Sequence, residues 1–174
     1  MILELKKFES FPVHIVLNED TTCEITEVDS ISSLDKTMLE LDIQKSADEY
    51  YCQGALTADV TLECARCLKH FKETLMNGTD FIAGPAKPES QKEIDDEDHV
   101  YYDHELRADL WEIIRQTVIL AVSLKPLCSE DCRGLCPQCG TNLNQKKCKC
   151  TVSKVDPRLE PLKKLLEPQN RKGL

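Results

Sequence analysis

The stretch that decides the fold is residues 56–67, LTADVTLECARC. Apolar residues occupy every second position from 56 to 62, and polar residues occupy the positions between them. This period of two is typical of a strand with one buried face. The strand leads directly into Cys64-Ala-Arg-Cys67. The sequence therefore predicts a strand that ends in a tight turn carrying two thiols.

The chain on both sides of this turn predicts further strands. Alternation at Leu39, Leu41 and Ile43 indicates an earlier strand, and the chain resumes over residues 68–76 after the second thiol. Asn77-Gly78 follows, and this pair favours a two-residue hairpin turn because both turn positions need positive φ. We therefore expect an antiparallel β-meander, or a partly open barrel, with a turn at Asn77-Gly78 and a further strand reaching residues 81–82.

A polar stretch and a helix are expected next. Residues 84–99 contain two prolines and a block of acids, which indicate an exposed linker. Over residues 105–124 apolar side chains recur at three- and four-residue spacing, the pattern of one long amphipathic helix, with Glu105 and Asp109 near its start. A short helix is expected over residues 157–166, with Asp156 as its N-cap.

The ten cysteines indicate metal binding. Eight of them form four short pairs, and such crowding in a reducing compartment is typical of metal ligands. Zinc takes four thiolates in a tetrahedron, so four pairs supply two closed, structural sites. The eight candidate ligands are Cys64, Cys67, Cys128, Cys132, Cys136, Cys139, Cys148 and Cys150.

The sequence leaves three ways to combine these pairs. In the preferred one, Cys64 and Cys67 join Cys128 and Cys132, and the remaining four cysteines form a local site. In the second, the two Cys-x-x-Cys turns share one ion, as in a zinc ribbon. In the third, residues 128–139 hold a single ion with their own four thiols.

The other candidate residues do not belong to a group of metal-ligating or catalytic side chains. Cys23 and Cys52 have no near partner, so they are interpreted as half-buried structural residues. His70 follows Cys67 closely and could replace a thiol, but enough cysteines exist without it. The sequence contains no zinc-protease, nucleophile-elbow, phosphate-loop or dinucleotide motif. We therefore expect no catalytic residues, no small-molecule substrate and no enzymatic activity.

Charge divides the chain near residue 125. The formal charge of −9 separates into −15 over residues 1–124, from 11 basic and 26 acidic side chains, and +6 over residues 125–174, from 11 and 5. We expect an α+β protein in two parts. Residues 1–124 form an acidic β body with the amphipathic helix, and residues 125–174 form a zinc-stapled, cysteine-rich region with the short helix.

The chain shows no sign of membrane insertion or secretion. No apolar run approaches the roughly 20 residues that cross a bilayer, and MILELKKFES at the start is not typical of a secretory signal. A cytoplasmic protein without a membrane partner is therefore expected.

The cysteine motifs carry a family resemblance. The segments LECARCL (residues 62–68), LCSEDCRGLCPQCGTNLN (residues 127–144) and DPRL (residues 156–159), followed by spaced leucines, resemble the YceD-like family of bacteria and plastids. That resemblance implies a role in large ribosomal subunit biogenesis and 23S rRNA accumulation, with no catalytic activity. It also implies a ribosomal partner, because family members are often encoded beside a large-subunit ribosomal protein.

The charge favours a protein partner over bare RNA. A net charge of −9 opposes binding to phosphates. We therefore expect contact with a large-subunit ribosomal protein or assembly factor, and only secondary contact with rRNA. Two alternatives remain open: a thiol-based redox or zinc-release sensor, and a generic zinc-stapled protein-interaction module.

Overall fold

The computed structural model describes residues 1–20, 25, 30–86 and 98–150. These residues form seven strands, one 3₁₀ turn and one α-helix. In chain order they are β1 (Ile2–Glu4), the 3₁₀ turn (Leu5–Lys7), β2 (Val13–Glu19), β3 (Ile31–Ser46), β4 (Glu49–Glu63), β5 (His70–Pro85), β6 (His99–Tyr102), β7 (Arg107–Asp109) and α1 (Trp111–Ala121). No helix in this part of the chain is long and apolar enough to cross a bilayer.

The centre of the sheet is the meander β2-β3-β4-β5, in which neighbouring strands pair antiparallel. Strands β3, β4 and β5 have 16, 15 and 16 residues. In β4, Leu56, Ala58, Val60 and Leu62 are all at most 2% exposed, as the alternating pattern predicts. The predicted strand that ends in the thiol-bearing turn is therefore present.

The predicted hairpin turn at Asn77-Gly78 is wrong. Strand β5 runs without interruption through both residues, with Asn77 paired to Leu56 and Gly78 paired to Ala55. Pairing with β4 continues along the whole of β5 as far as Ala83. This continuous ladder, and the core face that it buries, outweigh the local turn preference of the two residues.

The sheet is mixed, and the expectation of a purely antiparallel sheet is wrong at one junction. Strand β6 lies parallel to β5, with Ile82 paired to His99. The complete strand order is β1-β7-β6-β5-β4-β3-β2. The predicted linker over residues 84–99 is shorter than expected, because Gly84 and Pro85 belong to β5 and His99 begins β6. Residues 87–97 lie outside the described residues.

The sheet curls without closing. Its edge strands β1 and β2 do not pair, yet the amino group of Met1 lies 2.9 Å from the carboxylate of Glu19 at the end of β2. This matches the expected partly open barrel. Gly54 permits close packing of β4 on β3, because a Cβ at that position would lie 1.8 Å from the carbonyl oxygen of Glu40.

The helix begins later than predicted. Residues 105–110 do not form its first turn, because the carboxylate of Asp103 accepts the backbone N–H groups of Glu105 and Arg107 and holds a local turn. Strand β7 then pairs with β1. Helix α1 packs on β5, with Ile113, Ile114, Thr117 and Val118 buried. The predicted short helix over residues 157–166 lies outside the described residues.

The chain divides into two compact units, Met1–Gly134 and Leu135–Leu174. The first contains the whole sheet and α1. The second is described from Leu135 to Cys150, and there Leu135 forms an isolated β-bridge with Asn142.

Candidate metal centres

The first candidate centre begins at the tip of the β4–β5 hairpin. The Cys64-Ala-Arg-Cys67 turn is closed by two backbone hydrogen bonds, from Leu68 N–H to Cys64 O (2.9 Å) and from Cys64 N–H to Lys69 O (3.0 Å). Leu68 has a φ of 55°, in the left-handed region that returns the chain into β5. The long strands thus place the two thiols of this turn at one fixed position.

Four sulfur atoms meet at this tip. Cys64 Sγ lies 3.8 Å from Cys132 Sγ, and Cys67 Sγ lies 3.6 Å from Cys128 Sγ. All four sulfur atoms lie within 4.8 Å of one another. A zinc tetrahedron with Zn–S bonds of about 2.3 Å has S···S edges of about 3.8 Å, so the spacing fits a zinc ion. We call these four residues the first cluster.

Hydrogen bonds and close packing that do not involve the sulfur atoms join the two halves of the first cluster, the Cys64–Cys67 turn and the loop that carries Cys128 and Cys132. Ala65 N–H donates to Pro126 O at 2.9 Å. The Arg66 guanidinium donates to Cys132 O at 2.8 Å and to Glu130 O at 3.2 Å. Gly134, with a φ of 72°, passes so close that a Cβ there would lie 2.9 Å from Arg66 O. The site is therefore pre-organised.

The local environment sets the acidity of the first cluster. Burial alone would raise the pKa of the Cys64 thiol, but backbone N–H groups of Cys128, Arg66 and Cys67 lower that pKa to about 6. The hydrogen bond with Cys67, together with burial, raises the pKa of Cys128 to about 12. One thiolate thus forms readily, whereas Cys67 and Cys128, whose pKa values are raised, need a nearby cation to lose their protons.

The second candidate centre is local in sequence. Gly140 N–H donates to Cys136 O and Cys136 N–H to Thr141 O, both at 2.9 Å, which closes the Cys136-Pro-Gln-Cys139 turn. Gly140 has a φ of 69°, as glycine allows. The sulfur atoms of Cys136, Cys139, Cys148 and Cys150, the second cluster, all lie within 4.8 Å of one another.

The second cluster is more accessible than the first. In the first, Cys64, Cys67 and Cys132 are 0%, 6% and 3% exposed, whereas Cys139 of the second is exposed to solvent. Hydrogen bonds with Thr141, whose hydroxyl oxygen lies 3.2 Å from Cys139 Sγ, lower the pKa of Cys139 to about 6. The hydrogen bond with Cys139 raises the pKa of Cys150 to about 12.

The structure thus groups the eight predicted cysteines as in the first of the three pairings. The described residues form neither the zinc-ribbon group nor the group confined to residues 128–139. His70 does not join either group, and its Nδ1 lies 2.9 Å from the Ser32 hydroxyl. Cys52 is buried within the sheet, which raises its pKa to about 12. Cys23 lies outside the described residues.

Sequence reasoning missed the role of Arg66. It is the third residue of the Cys-x-x-Cys turn, and its guanidinium contacts a loop more than 60 residues away in sequence. The position of Arg66 inside the Cys-x-x-Cys turn could have indicated a role at the metal site. The partners of its guanidinium could not be predicted, because they are backbone carbonyls, which no sequence pattern identifies.

Fold and clusters together define a cysteine-rich α+β protein built on a curled mixed sheet. The family model described as large ribosomal RNA subunit accumulation protein YceD matches residues 52–166, which include all eight clustered cysteines. The chain belongs to the YceD family.

Curated relatives agree with this membership. A chloroplastic large ribosomal RNA subunit accumulation protein YCED homolog of Arabidopsis thaliana is 26% identical over 162 residues, which are 78% of this chain and 50% of that protein. An uncharacterized protein of Mycobacterium bovis is 30% identical over 84% of this chain and 69% of its own length. The chain thus spans only half of the plant relative. No solved structure matches it significantly.

Proposed function

We propose that each cluster holds one structural zinc ion. The observation that carries this proposal is the pair of S···S distances, 3.6 and 3.8 Å, in the first cluster. They fit a zinc tetrahedron and exceed the S–S bond of a disulfide, about 2.05 Å, by more than 1 Å. The ligands are Cys64, Cys67, Cys128 and Cys132 at one ion, and Cys136, Cys139, Cys148 and Cys150 at the other.

The zinc ions act as cross-links and not as catalysts in this proposal. Four thiolates complete the coordination of each ion and leave no open position for water or substrate. The first ion connects the β4–β5 hairpin to residues 128–132, and the second organises residues 136–150. Residues 125–174 are accordingly proposed as a cysteine-rich region that follows an acidic body over residues 1–124.

The protein is proposed to be a non-enzymatic factor that supports large ribosomal subunit biogenesis and the accumulation of 23S rRNA in the cytoplasm. The description of its family, and the name of its plant relative, support this assignment. The charge of −15 over residues 1–124 favours a basic ribosomal protein or assembly factor as the direct partner. Contact with rRNA is secondary, because phosphates repel an acidic surface.

Sedimentation of the tagged full chain in a cell lysate tests this function. We expect the protein to travel with precursors of the large subunit and to leave them as salt is raised, because screened charge contacts weaken. A protein that stays at the top of the gradient at every salt concentration, in growing cells, would contradict the assignment.

One observation favours a second function, a thiol-based redox sensor. Cys139 is exposed and has a lowered pKa, and both features favour reaction of a thiolate with peroxide. Two thiolates would give two electrons to hydrogen peroxide and form a disulfide. The O–O bond of the peroxide would break and take up two protons from solvent to give two water molecules, and the zinc ion would be released. Mild peroxide with a zinc indicator tests this alternative: release of one zinc per chain, reversed by a thiol reductant, would support it.

A further inference from the structure

The outer face of strands β2–β5, the one turned away from the core, carries an ordered set of side chains. Antiparallel pairing aligns these residues in rows that cross the four strands. From β2 to β5, three successive rows are His14-Asp42-Gln53-Asp80, Val16-Glu40-Ala55-Gly78 and Asn18-Met38-Thr57-Met76. We call this surface the outer face.

The middle of the outer face is open and partly apolar. Met76 is 75% exposed and Val16 is 46% exposed. They lie in adjacent rows with Met38 and Ala55, and a Cβ on Gly78 would meet nothing closer than 3.9 Å. Single exposed apolar residues are common, but adjacent ones on one face of a sheet form a surface that a partner can cover.

Carboxylates border this apolar strip. Glu40, Asp42 and Asp80 are exposed and occupy the two rows on one side of the methionines. Asp42 lies 2.9 Å from His14, whereas the structure gives Glu40 and Asp80 no ion-pair partner among the described residues. Two lysines lie on the other side of the methionines, and both are paired: Lys36, beside Met38, lies 3.7 Å from Asp20, and Lys72 lies 2.9 Å from Asp35. Among the described residues, the charge beside the strip that has no ion-pair partner is therefore negative.

This chemistry selects one class of occupant. Nucleic acid would bring phosphates against carboxylates. A second copy of the chain would place like charges opposite each other, which is unfavourable in a sheet and at an interface. We infer that the outer face docks a lysine- or arginine-rich segment of a partner protein, whose apolar side chains cover Val16, Met38 and Met76.

The inference rests on the proposed function for its biological setting, since ribosomal proteins are a supply of basic segments. The surface itself is independent of the metal centres. All of its residues belong to the unit Met1–Gly134, and none of the eight clustered cysteines is among them. It can therefore be tested without disturbing a proposed zinc ligand.

The test is fluorescence anisotropy of the full-length protein with a short labelled peptide in which lysines alternate with valines. Replacing three carboxylates (Glu40→Gln, Asp42→Asn, Asp80→Asn) should weaken binding about tenfold, because three exposed charge contacts are lost. The matched control removes three exposed acids elsewhere (Glu9→Gln, Asp48→Asn, Glu73→Gln) and should change the affinity less than twofold.

A second variant tests the apolar part of the surface. Met76→Thr keeps a residue that suits a strand and should weaken the lysine–valine peptide about threefold, through lost apolar contact. The same variant should not change the affinity of a peptide with serines in place of the valines.

Several results would overturn the inference. Equal weakening by the two triple variants would show only a diffuse effect of net charge. Tighter peptide binding after deletion of residues 151–174 would make the chain's own basic segment the occupant, and a dimer that the outer-face variant dissociates would make it a second copy. Absence of peptide binding, in a protein that still sediments with large-subunit precursors, would refute the docking surface and leave the proposed function standing.

Discussion

Replacing Cys64 with serine is expected to destabilise the whole β body and not only the hairpin tip. In the first cluster Cys67 and Cys128 are 61 positions apart in the chain. If the zinc cross-link restricts the unfolded chain as a disulfide does, closing a loop of that length stabilises the fold by about 4 kcal/mol. The stability of a domain is only about 5–15 kcal/mol, so the loss should be large.

Trp111 gives the assay for this prediction, because it is the one tryptophan of the chain and begins α1, which packs on β5. Urea unfolding followed by its fluorescence should show a fall of about 3–4 kcal/mol for Cys64→Ser in the zinc-loaded protein. Wild type treated with a chelator should unfold like the variant, because both lack the same cross-link.

The matched control is Cys136→Ser. Its cluster closes a loop only nine positions long, between Cys139 and Cys148, and lies in the unit that starts at Leu135. The unfolding reported by Trp111 should therefore change by less than about 0.5 kcal/mol. If Cys136→Ser lowers that stability while Cys128→Ser does not, the zinc-ribbon pairing is correct and the reasoning is refuted.

Three other predictions follow from the same geometry. Metal analysis of the purified chain should give about two zinc ions, and about one for Cys136→Ser; a value of one in wild type would favour the single site over residues 128–139. Arg66→Ala should lower the free energy of unfolding by about 1–3 kcal/mol, because two backbone carbonyls lose a charged donor. The variant should also lose one zinc ion to a chelator faster than wild type does, and an unchanged rate of zinc loss would show that the guanidinium does not position the loop. Gly54→Ala should lower the free energy of unfolding by about 3 kcal/mol, because the new Cβ meets the Glu40 carbonyl. Gly78→Ala should leave the free energy of unfolding unchanged. Equal effects of the two variants in urea unfolding would contradict the close approach of Gly54 to the Glu40 carbonyl.

The parts of the fold that depend on local periodicity could be predicted from the sequence. Buried Leu56, Val60 and Leu62 follow a strict alternation that only a strand satisfies. The eight clustered cysteines could likewise be predicted from their four short pairs, because thiols that bind one metal ion lie close together and are often close in sequence.

The parts of the fold that depend on pairing between separate segments could not be predicted from the sequence. Asn77-Gly78 has turn chemistry, but the preceding strand β4 of the same hairpin offers it complete ladder partners, which the local sequence of the pair does not show. The parallel junction of β5 and β6, and the strand β7 that replaces the start of the predicted helix, also arise from contacts between distant segments. The grouping of Cys64 and Cys67 with Cys128 and Cys132 is of the same kind, because several pairings satisfy the same spacing.

The measurement that bears most directly on the proposed function is the ratio of large-subunit to small-subunit rRNA in cells that lack the gene. The ratio should fall on deletion, return with the wild-type gene, and stay low with Cys64→Ser, which removes the first zinc cross-link. An unchanged ratio in the deletion strain would contradict the proposed role in large ribosomal subunit biogenesis.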